Sequence, residues 1–420
     1  MPAPRKIEIM APAGSYESLS AAIRAGAGAV YFGVGKLNMR ARSSANFEPK
    51  DIHRIAEICR RMKVKSYLAL NTIVYDEEIS EVKSIIKEAA SSGVSAVIAS
   101  DIAVIEEARA AGIEVHMSVQ ANICNIHAVR FYSKYADVIV LARELSLPQI
   151  KSICDTVRNE NILGPSGELL RIEIFAHGAL CVAVSGRCYM SLGVYDFSAN
   201  RGACFQNCRR SYRIIDDETG EELLLENKYV MSPKDICTLR FLDTLIDAGI
   251  SVFKIEGRGR SPDYVYSVTK TYKDAIDAVL AGDFTEDKIN QWMKVLSSVF
   301  NRGFWEGGYY LGEKMEQWCG IDGSRSEKKK IHIGTVRKYF PKAKAIEIGL
   351  CAGALRKGQE IMISGPTTGA LIFNVEDIRL ERAPVEEAPK GSVVSVSSAT
   401  KARPNDCVYL LEERKFGQSG

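Results

Sequence analysis

Residues 7–33 read IEIMAPAGSYESLSAAIRAGAGAVYFG, and this stretch decides the fold. Two short apolar runs, Ile7 to Ala11 and Ala29 to Gly33, flank a segment from Tyr16 to Gly26 in which apolar residues recur at helical spacing. A glycine closes the segment, as is common at helix C-termini. A strand, a helix and a second strand in this order predict one unit of a parallel α/β sheet.

The same pattern repeats as far as residue 255. The predicted strands are Ile7 to Ala11, Ala29 to Gly33, Ser66 to Leu70, Ser95 to Ile98, Glu114 to Ser118, Val138 to Leu141, Glu173 to Ala176 and Val252 to Ile255. Eight strands alternating with helices predict a closed (β/α)8 TIM-like barrel, and a doubly wound open sheet is the alternative. In such a barrel the catalytic residues lie at the C-terminal ends of the strands.

The longest predicted loop, about residues 178–251, follows the seventh strand as an insertion. It carries five of the eleven cysteines, which are Cys181, Cys188, Cys204, Cys208 and Cys237. Within it, the turn sequence of residues 217–220 between Tyr212 to Asp216 and Glu222 to Leu225 predicts a hairpin lid. A helix is expected from about Lys234 to Ala248.

The C-terminal part of the chain has a different pattern. After a polar stretch from Ser324 to Lys330, which we expect to be a linker, come short strands separated by glycine, proline and charged turns. The predicted strands are Ile331 to Tyr339, Ala345 to Ile348, Glu360 to Ser364, Gly369 to Val375, Ser392 to Ser395 and Cys407 to Leu411. We therefore expect a barrel domain over residues 1–323 and a small C-terminal β-barrel over residues 331–415.

The composition is that of an ordinary globular protein, with 420 residues of which 46% are hydrophobic and 25% charged. The N-terminus has no long apolar run, and no stretch reaches the roughly 18 apolar residues of a membrane-spanning helix. We expect a soluble, cytoplasmic protein that does not bind a membrane. The net charge of +3 permits a nucleic-acid partner without arguing for one.

The crowded cysteines suggest metal chemistry. In a large cytosolic chain, gathered thiols are better explained by a metal or an iron–sulfur cluster than by disulfides. Their spacing fits neither a zinc ribbon nor a ferredoxin. From the residues alone, three interpretations stay open: a 4Fe-4S cluster, a structural zinc, and thiols that bind no metal.

Three residues near predicted strand ends are candidates for catalysis. His177 follows the seventh strand and could donate a hydrogen bond to a substrate, although a structural histidine is as common. Lys254 and Glu256 alternate along the eighth strand and would point into the barrel together. The alternative for these two is an internal ion pair that fixes the strand end.

Four further polar residues at strand ends are candidates for substrate binding. Arg143 and Arg258 are suited to carboxylates, because a guanidinium presents a fork of donors that matches a carboxylate. Asn71 and Gln120 follow the third and fifth strands.

Residues 173–191, EIFAHGALCVAVSGRCYMS, resemble the signature of the U32 (collagenase-like) peptidase family. Further matches are Ala11 to Gly14, Ala29 to Gly33, Asn200 to Arg209, Ser232 to Cys237 and Lys254 to Arg258. The resemblance runs through the whole predicted barrel, and in layout it is closest to the tRNA 5-hydroxyuridine hydroxylation proteins.

The resemblance implies a 4Fe-4S cluster held by the insertion. Cys181, Cys188 and Cys204 match most clearly as ligands, and the fourth is either Cys237 or Cys208. We favour Cys237, because it is predicted to begin a helix, where the backbone dipole stabilises a thiolate. Cys208 remains the alternative, since it follows Cys204 by about one helical turn.

The resemblance further implies an iron–sulfur-dependent RNA-modifying enzyme. The expected reaction is 5-hydroxylation of the wobble uridine of tRNA with prephenate as co-substrate, and a related partner subunit is needed by some relatives. Other expectations are hydroxylation of ribosomal RNA or of a quinone precursor, a peptidase as the family name says, and a non-catalytic RNA-binding protein. The sequence has neither G-x-S-x-G nor H-E-x-x-H, which disfavours the peptidase.

Overall fold

The computed structural model describes residues 7–42, 46–213, 215–222, 231–305, 318–320 and 323–414. In chain order its first ten strands are β1 (Glu8–Pro12), β2 (Ala29–Gly33), β3 (Lys65–Leu70), β4 (Ala96–Ala99), β5 (Glu114–Met117), β6 (Val138–Val140), β7 (Arg171–Gly178), β8 (Asp235–Cys237), β9 (Val252–Ile255) and β10 (Phe304–Trp305). Strands β1 to β7 pair in parallel in sequence order, and β9 pairs with both β7 and β1. The eight strands thus close into the predicted barrel, which excludes the open sheet.

Helices surround the barrel. They are α1 (Tyr16–Arg24), α2 (Ile52–Arg61), α3 (Ile79–Ser92), α4 (Ile102–Ala110), α5 (Ile126–Tyr132), α6 (Leu147–Asn159), α7 (Met190–Tyr195), α8 (Leu242–Ala248), α9 (Pro262–Leu280) and α10 (Glu286–Ser298). Local signals set their ends: Ser15 caps α1 by accepting from the Ser18 amide, and Gly93 closes α3 in the left-handed conformation. No described helix is both long and apolar enough to cross a bilayer.

The barrel interior is filled at one end and open at the other. At the N-terminal ends of the strands, the Tyr67 hydroxyl donates to Glu8 at 2.7 Å, and Lys65 lies 3.3 Å from the same carboxylate. Above them, Met10 and Val138 belong to a buried apolar cluster. Because these layers fill the lower barrel, the described strands leave space for a ligand at their C-terminal ends.

The insertion between β7 and β9 adds a short strand to the barrel. Strand β8 pairs antiparallel with the end of β7, where Cys237 lies opposite His177, and β10 pairs with β8. The helix expected from Lys234 is therefore wrong over its first part, because strand pairing holds β8 and α8 begins only at Leu242. Of the predicted hairpin, Ile215 and Glu222 form one antiparallel bridge; residues 223–225 lie outside the described residues.

The C-terminal part is antiparallel. Its strands are β11 (Lys328–Phe340), β12 (Ala345–Leu350), β13 (Leu355–Arg356), β14 (Glu360–Gly365), β15 (Gly369–Asn374), β16 (Ile378–Leu380), β17 (Ala383–Pro384), β18 (Glu387–Ala388), β19 (Val393–Ser397) and β20 (Cys407–Glu413). Eight of them form one sheet in the order β15-β14-β20-β11-β12-β19-β16-β17. All six predicted strands are present, and β11 begins within the stretch expected to be a linker.

The C-terminal sheet packs on the outside of the barrel. Gly369 of β15 has a φ of +70°, and a Cβ there would lie 2.6 Å from the backbone nitrogen of Ala21 in α1. Lys330 of β11 forms an ion pair of 2.7 Å with Asp263 in α9. The sheet therefore rests against α1 and α9.

Candidate active site

A cavity of about 210 Å³ lies at the C-terminal ends of the barrel strands. Its lining includes Tyr31 of β2, Ala69 of β3, Ile98 of β4, Phe175 of β7 and Lys254 of β9. Side chains from five strands converge on it, so the fold places the cavity where barrel enzymes carry their active sites.

The insertion supplies one wall of the cavity with thiols. Cys181, Cys188, Cys204 and Cys208 all line it, and all four are free of disulfides. Burial raises the pKa of Cys208 to about 11, and negative charge on the other three thiols adds to the rise. The charge state of Cys208 is therefore linked to those of the other three cysteines that line the cavity.

Hydrogen bonds from the barrel and from within the insertion fix the thiol-bearing loops. Glu144, just after β6, accepts from the Ser185 amide and hydroxyl at 2.8 Å each. The guanidinium of Arg209 donates to the carbonyls of Leu180 at 2.5 Å and Pro233 at 2.7 Å. These contacts hold the loop before Cys181 and the segment after Cys208 against each other.

Cys237 lies elsewhere. It ends strand β8, is buried, and its sulfur lies 3.9 Å from the Met293 sulfur and 3.9 Å from the Tyr272 hydroxyl. The expectation that it begins a helix is wrong, and it does not line the cavity. The structure thus brings Cys208, rather than Cys237, together with the other three cysteines.

The thiol wall has the donor chemistry of an iron–sulfur site. Thiolates are the usual ligands of 4Fe-4S clusters, and four cysteine thiols line this cavity together with the arginines Arg40 and Arg209. As the side chains stand, no three histidine, cysteine, aspartate or glutamate residues of the described ranges are arranged to hold a single metal ion. The residues present fit a 4Fe-4S cluster by number and type of ligand.

Two buried arginines form a cationic part of the lining. Arg258 is 4% exposed, burial lowers its pKa to about 10, and its Nη1 has no hydrogen-bond partner among the described residues. Arg143 donates from Nη2 to the Ala183 carbonyl at 3.3 Å, while its buried Nε has no such partner within the described part of the chain. Unsatisfied buried donors are costly, so both guanidiniums are suited to receive an anionic ligand.

Glu256 is an ionised acceptor in the same cavity. Arg40 approaches its Oε1 at 3.0 Å from both Nε and Nη2, and the Tyr31 hydroxyl lies 3.4 Å from its Oε2. Burial favours the protonated acid, but Arg40 and then Arg258 outweigh burial, and the pKa of Glu256 lies below its usual range. Lys254 pairs instead with Glu173, at 3.1 Å.

Asn71 and Gln120 complete the polar lining, as their strand-end positions predicted. Asn71 accepts from the Met39 amide at 3.2 Å and donates to the Ser118 hydroxyl at 3.4 Å. Gln120 accepts from the same hydroxyl at 3.3 Å. Sequence reasoning did not single out Arg40 for this site, although its position in the loop after β2 follows the same strand-end rule.

His177 does not line the cavity. It is buried against the rings of Tyr272 and Phe304, each with its centroid 5.6 Å away, and burial lowers its pKa to about 3. A bulge in β7 between Phe175 and His177 interrupts the alternation that would have turned it inward. The structure therefore does not bring His177 to a substrate in the cavity.

Comparison with known proteins places the chain in a family. The model of peptidase family U32 matches residues 14–319. A protein named collagenase from Porphyromonas gingivalis is 52% identical over 97% of this chain and 98% of its own length. tRNA hydroxylation protein P1 of Bacillus subtilis is 30% identical over 89% of this chain and 87% of its own. The 23S rRNA 5-hydroxycytidine synthase of Escherichia coli is 37% identical over 66% of this chain and 40% of its own.

Proposed function

We propose, from the premise that this chain belongs to peptidase family U32, that it is an RNA-modifying enzyme that hydroxylates a pyrimidine base. The observation that carries the proposal is a cavity in which four free thiols and two buried arginines with unpartnered donors line the same space. The names of the Bacillus subtilis and Escherichia coli relatives support RNA as the substrate. The specific reaction we propose is 5-hydroxylation of the wobble uridine of tRNA.

The proposed cofactor is a 4Fe-4S cluster on Cys181, Cys188, Cys204 and Cys208. When bound, such a cluster would supply one-electron redox chemistry at the cavity wall. The pKa of Arg40 is raised, mainly by the negative charge of Glu256, while burial opposes the rise. Negative charge on Cys204 and Cys181 also raises it, because both cysteines lie near the guanidinium. A guanidinium in this position offsets part of the negative charge of the thiolates.

In this proposal Arg258 and Arg143 bind the co-substrate through Nη1 and Nε, the guanidinium nitrogens that have no hydrogen-bond partner among the described residues. Replacing C–H by C–OH removes two electrons from the base and brings in one oxygen atom, so a co-substrate must deliver that atom and accept the two electrons. The exchange balances when a C–OH bond of the co-substrate breaks, its hydroxyl goes to C5 of the base, and its own carbon takes the two electrons and a proton to become C–H. We propose prephenate, whose two carboxylates match the donors of Arg258 and Arg143.

Glu256 is the proposed proton acceptor. Because Arg40 keeps the carboxylate ionised, its Oε2 can accept the proton that leaves C5 of the base once oxygen has been added. Lys254 is engaged with Glu173, and we assign it a positioning role in the cavity floor.

Peptidase activity is the second candidate, favoured by the name of the Porphyromonas gingivalis relative. A cysteine peptidase needs a base beside its nucleophile. The described lining of the cavity contains cysteines but no histidine, and His177 is buried behind it with a strongly lowered pKa. The geometry therefore favours hydroxylation.

The test is mass spectrometry of nucleosides from a strain in which the gene has been deleted. We expect the hydroxylated wobble uridine to disappear from tRNA, to return with the wild-type gene and to stay absent with Cys204→Ser. Unchanged tRNA with loss of a hydroxylated cytidine from ribosomal RNA would move the target to ribosomal RNA. Unchanged RNA, together with collagen-peptide cleavage that Cys181→Ala abolishes, would establish the peptidase instead.

A further inference from the structure

Large apolar side chains are exposed on the insertion and on the loop after β3, two segments that also contribute residues to the cavity lining. We call this set the rim patch, and its members are Ile73, Tyr75, Val184, Tyr189, Val194 and Phe197. Tyr189 is 75% exposed and Phe197 49%. Exposed apolar clusters of this kind mark interaction sites on soluble proteins.

The rim patch adjoins the thiol wall directly. Tyr189 is exposed although its two chain neighbours, Cys188 and Met190, both line the cavity. The Ile73 amide donates to the Asn200 carbonyl at 3.2 Å, which joins the loop after β3 to the insertion. A molecule seated on the patch therefore reaches the mouth of the cavity.

The insertion contributes an excess of positive charge, whereas the loop after β3 continues into the acidic residues 76–78. Residues 181–213 contain five arginines and a single acidic residue, Asp196, whereas the whole chain has a net charge of only +3. Two of these arginines lie over rings. Arg210 lies 5.5 Å from the ring centroid of Tyr195, and Arg201, whose charge is paired with Glu78 at 2.7 Å, lies 3.8 Å from that of Tyr75. From the loop after β2, Arg42 lies 5.2 Å from the centroid of Phe197.

We propose that the rim patch is a platform on which unpaired RNA bases stack while one base enters the cavity. The inference rests on the proposed function and names the form of RNA that the site takes: a single-stranded loop. Aromatic rings beside guanidiniums are the common means of binding unpaired bases and their phosphates. A base that is paired and stacked in a duplex cannot enter a cavity. An enzyme that modifies the base in a cavity therefore needs it unpaired and unstacked.

RNA fits the patch better than a protein partner does. An apolar patch alone would suit either, but the excess of arginine complements a phosphate backbone. Tyr189 and Phe197 are the two most informative positions, because each presents an exposed ring and neither is among the residues that line the cavity.

The platform is tested by binding of the full-length, anaerobically purified protein to an RNA hairpin with an anticodon loop, measured by fluorescence anisotropy. We expect Tyr189→Ala and Phe197→Ala each to weaken binding on the order of tenfold, while affinity for a duplex of equal length changes little. Phe131→Ala removes an equally exposed ring, 53% exposed on α5, and should leave both affinities unchanged.

Hairpin affinity that is equal for the wild type and both ring variants would overturn the platform. A change in sedimentation, with RNA affinity unchanged, would make the patch a protein interface and would overturn the platform too. The proposed function is judged separately in the deletion strain. If that strain lacks the modification and the double variant Tyr189→Ala/Phe197→Ala restores it fully, the function stands and the platform falls.

Discussion

Lys254 Nζ lies 3.1 Å from Glu173 Oε1, and the two side chains are 7% and 0% exposed. They come from β9 and β7, the two strands whose pairing helps to close the barrel. The rings of Tyr31 and Phe175 flank the ammonium, with centroids 4.7 and 5.4 Å away. Each charge is therefore compensated in the interior mainly by the other.

Breaking this pair should destabilise the fold. We expect Lys254→Met to lower the free energy of unfolding by about 3 kcal/mol, because it leaves the Glu173 carboxylate buried without its counter-charge. Adding Glu173→Leu should recover most of the loss. Urea denaturation measures both, and Lys151→Met, which removes an exposed pair with Asp155, should cost less than about 1 kcal/mol. Equal stability of the single and double variants would contradict the account.

His177 should make stability depend on pH. Burial lowers the pKa of His177 from the ordinary value of 6.5 to about 3 in the folded protein. Between pH 3 and pH 6.5 the histidine is therefore protonated in the unfolded chain but neutral in the folded protein. Stability therefore falls as pH falls through this window, by about 1.4 kcal/mol per pH unit from this residue. His177→Met should flatten the measured slope by that amount. The same substitution at exposed His127 is the control, and an equal effect there would refute the assignment.

Gly33 controls the position of Arg258. A methyl group on it would lie 2.2 Å from Arg258 Nη1 and 2.7 Å from the Asn38 side chain, so the guanidinium must move. We expect Gly33→Ala to weaken prephenate binding on the order of tenfold without changing any charge. Titration calorimetry measures it. Gly112→Ala is the control: no atom lies within 4 Å of that methyl, so it reports only the backbone strain of a residue whose φ is +73°, and prephenate affinity should stay unchanged. Wild-type affinity in both Gly33→Ala and Arg258→Lys would remove Arg258 from the binding site.

Cys208 and Cys237 can be separated by iron content. After anaerobic purification, Cys208→Ser should lose most of the iron and the visible absorbance, because it removes a thiol from the cavity wall. Cys237→Ser should keep the iron and the absorbance, although it should lower the stability of the protein. Cys59→Ser is the control, because Cys59 is also buried and its replacement should cause a similar loss of stability. Iron loss in Cys237→Ser alone would restore Cys237 as the fourth ligand.

The barrel could be predicted because its strands are buried on both faces. Such strands form continuous apolar runs, and all eight were located to within one or two residues. Strand β8 lies where a helix was predicted. Its three residues are too few to show a periodicity, and their pairing with β7 determines their conformation. The strand-end rule placed Asn71, Gln120, Arg143 and Arg258 at the cavity.

The rest of the site depends on features that no local pattern reveals. The prediction for His177 assumed the regular alternation of an ideal strand. The bulge in β7 just before His177 breaks this alternation, and no sequence pattern indicates the bulge. The choice between Cys208 and Cys237 depends on how the insertion folds over the barrel, where Gln206 takes a left-handed conformation just before Cys208. Long-range contacts determine both positions.

The pairing of β9 with β1 and β7 has a consequence for synthesis on the ribosome. One edge of β1 has no barrel partner until β9 has left the exit tunnel, so the nascent chain carries an open parallel edge through the translation of the whole insertion. All four cavity cysteines precede β9 in the chain. The thiol segment is therefore complete, and accessible to delivery of the proposed cluster, before the ring of strands can close.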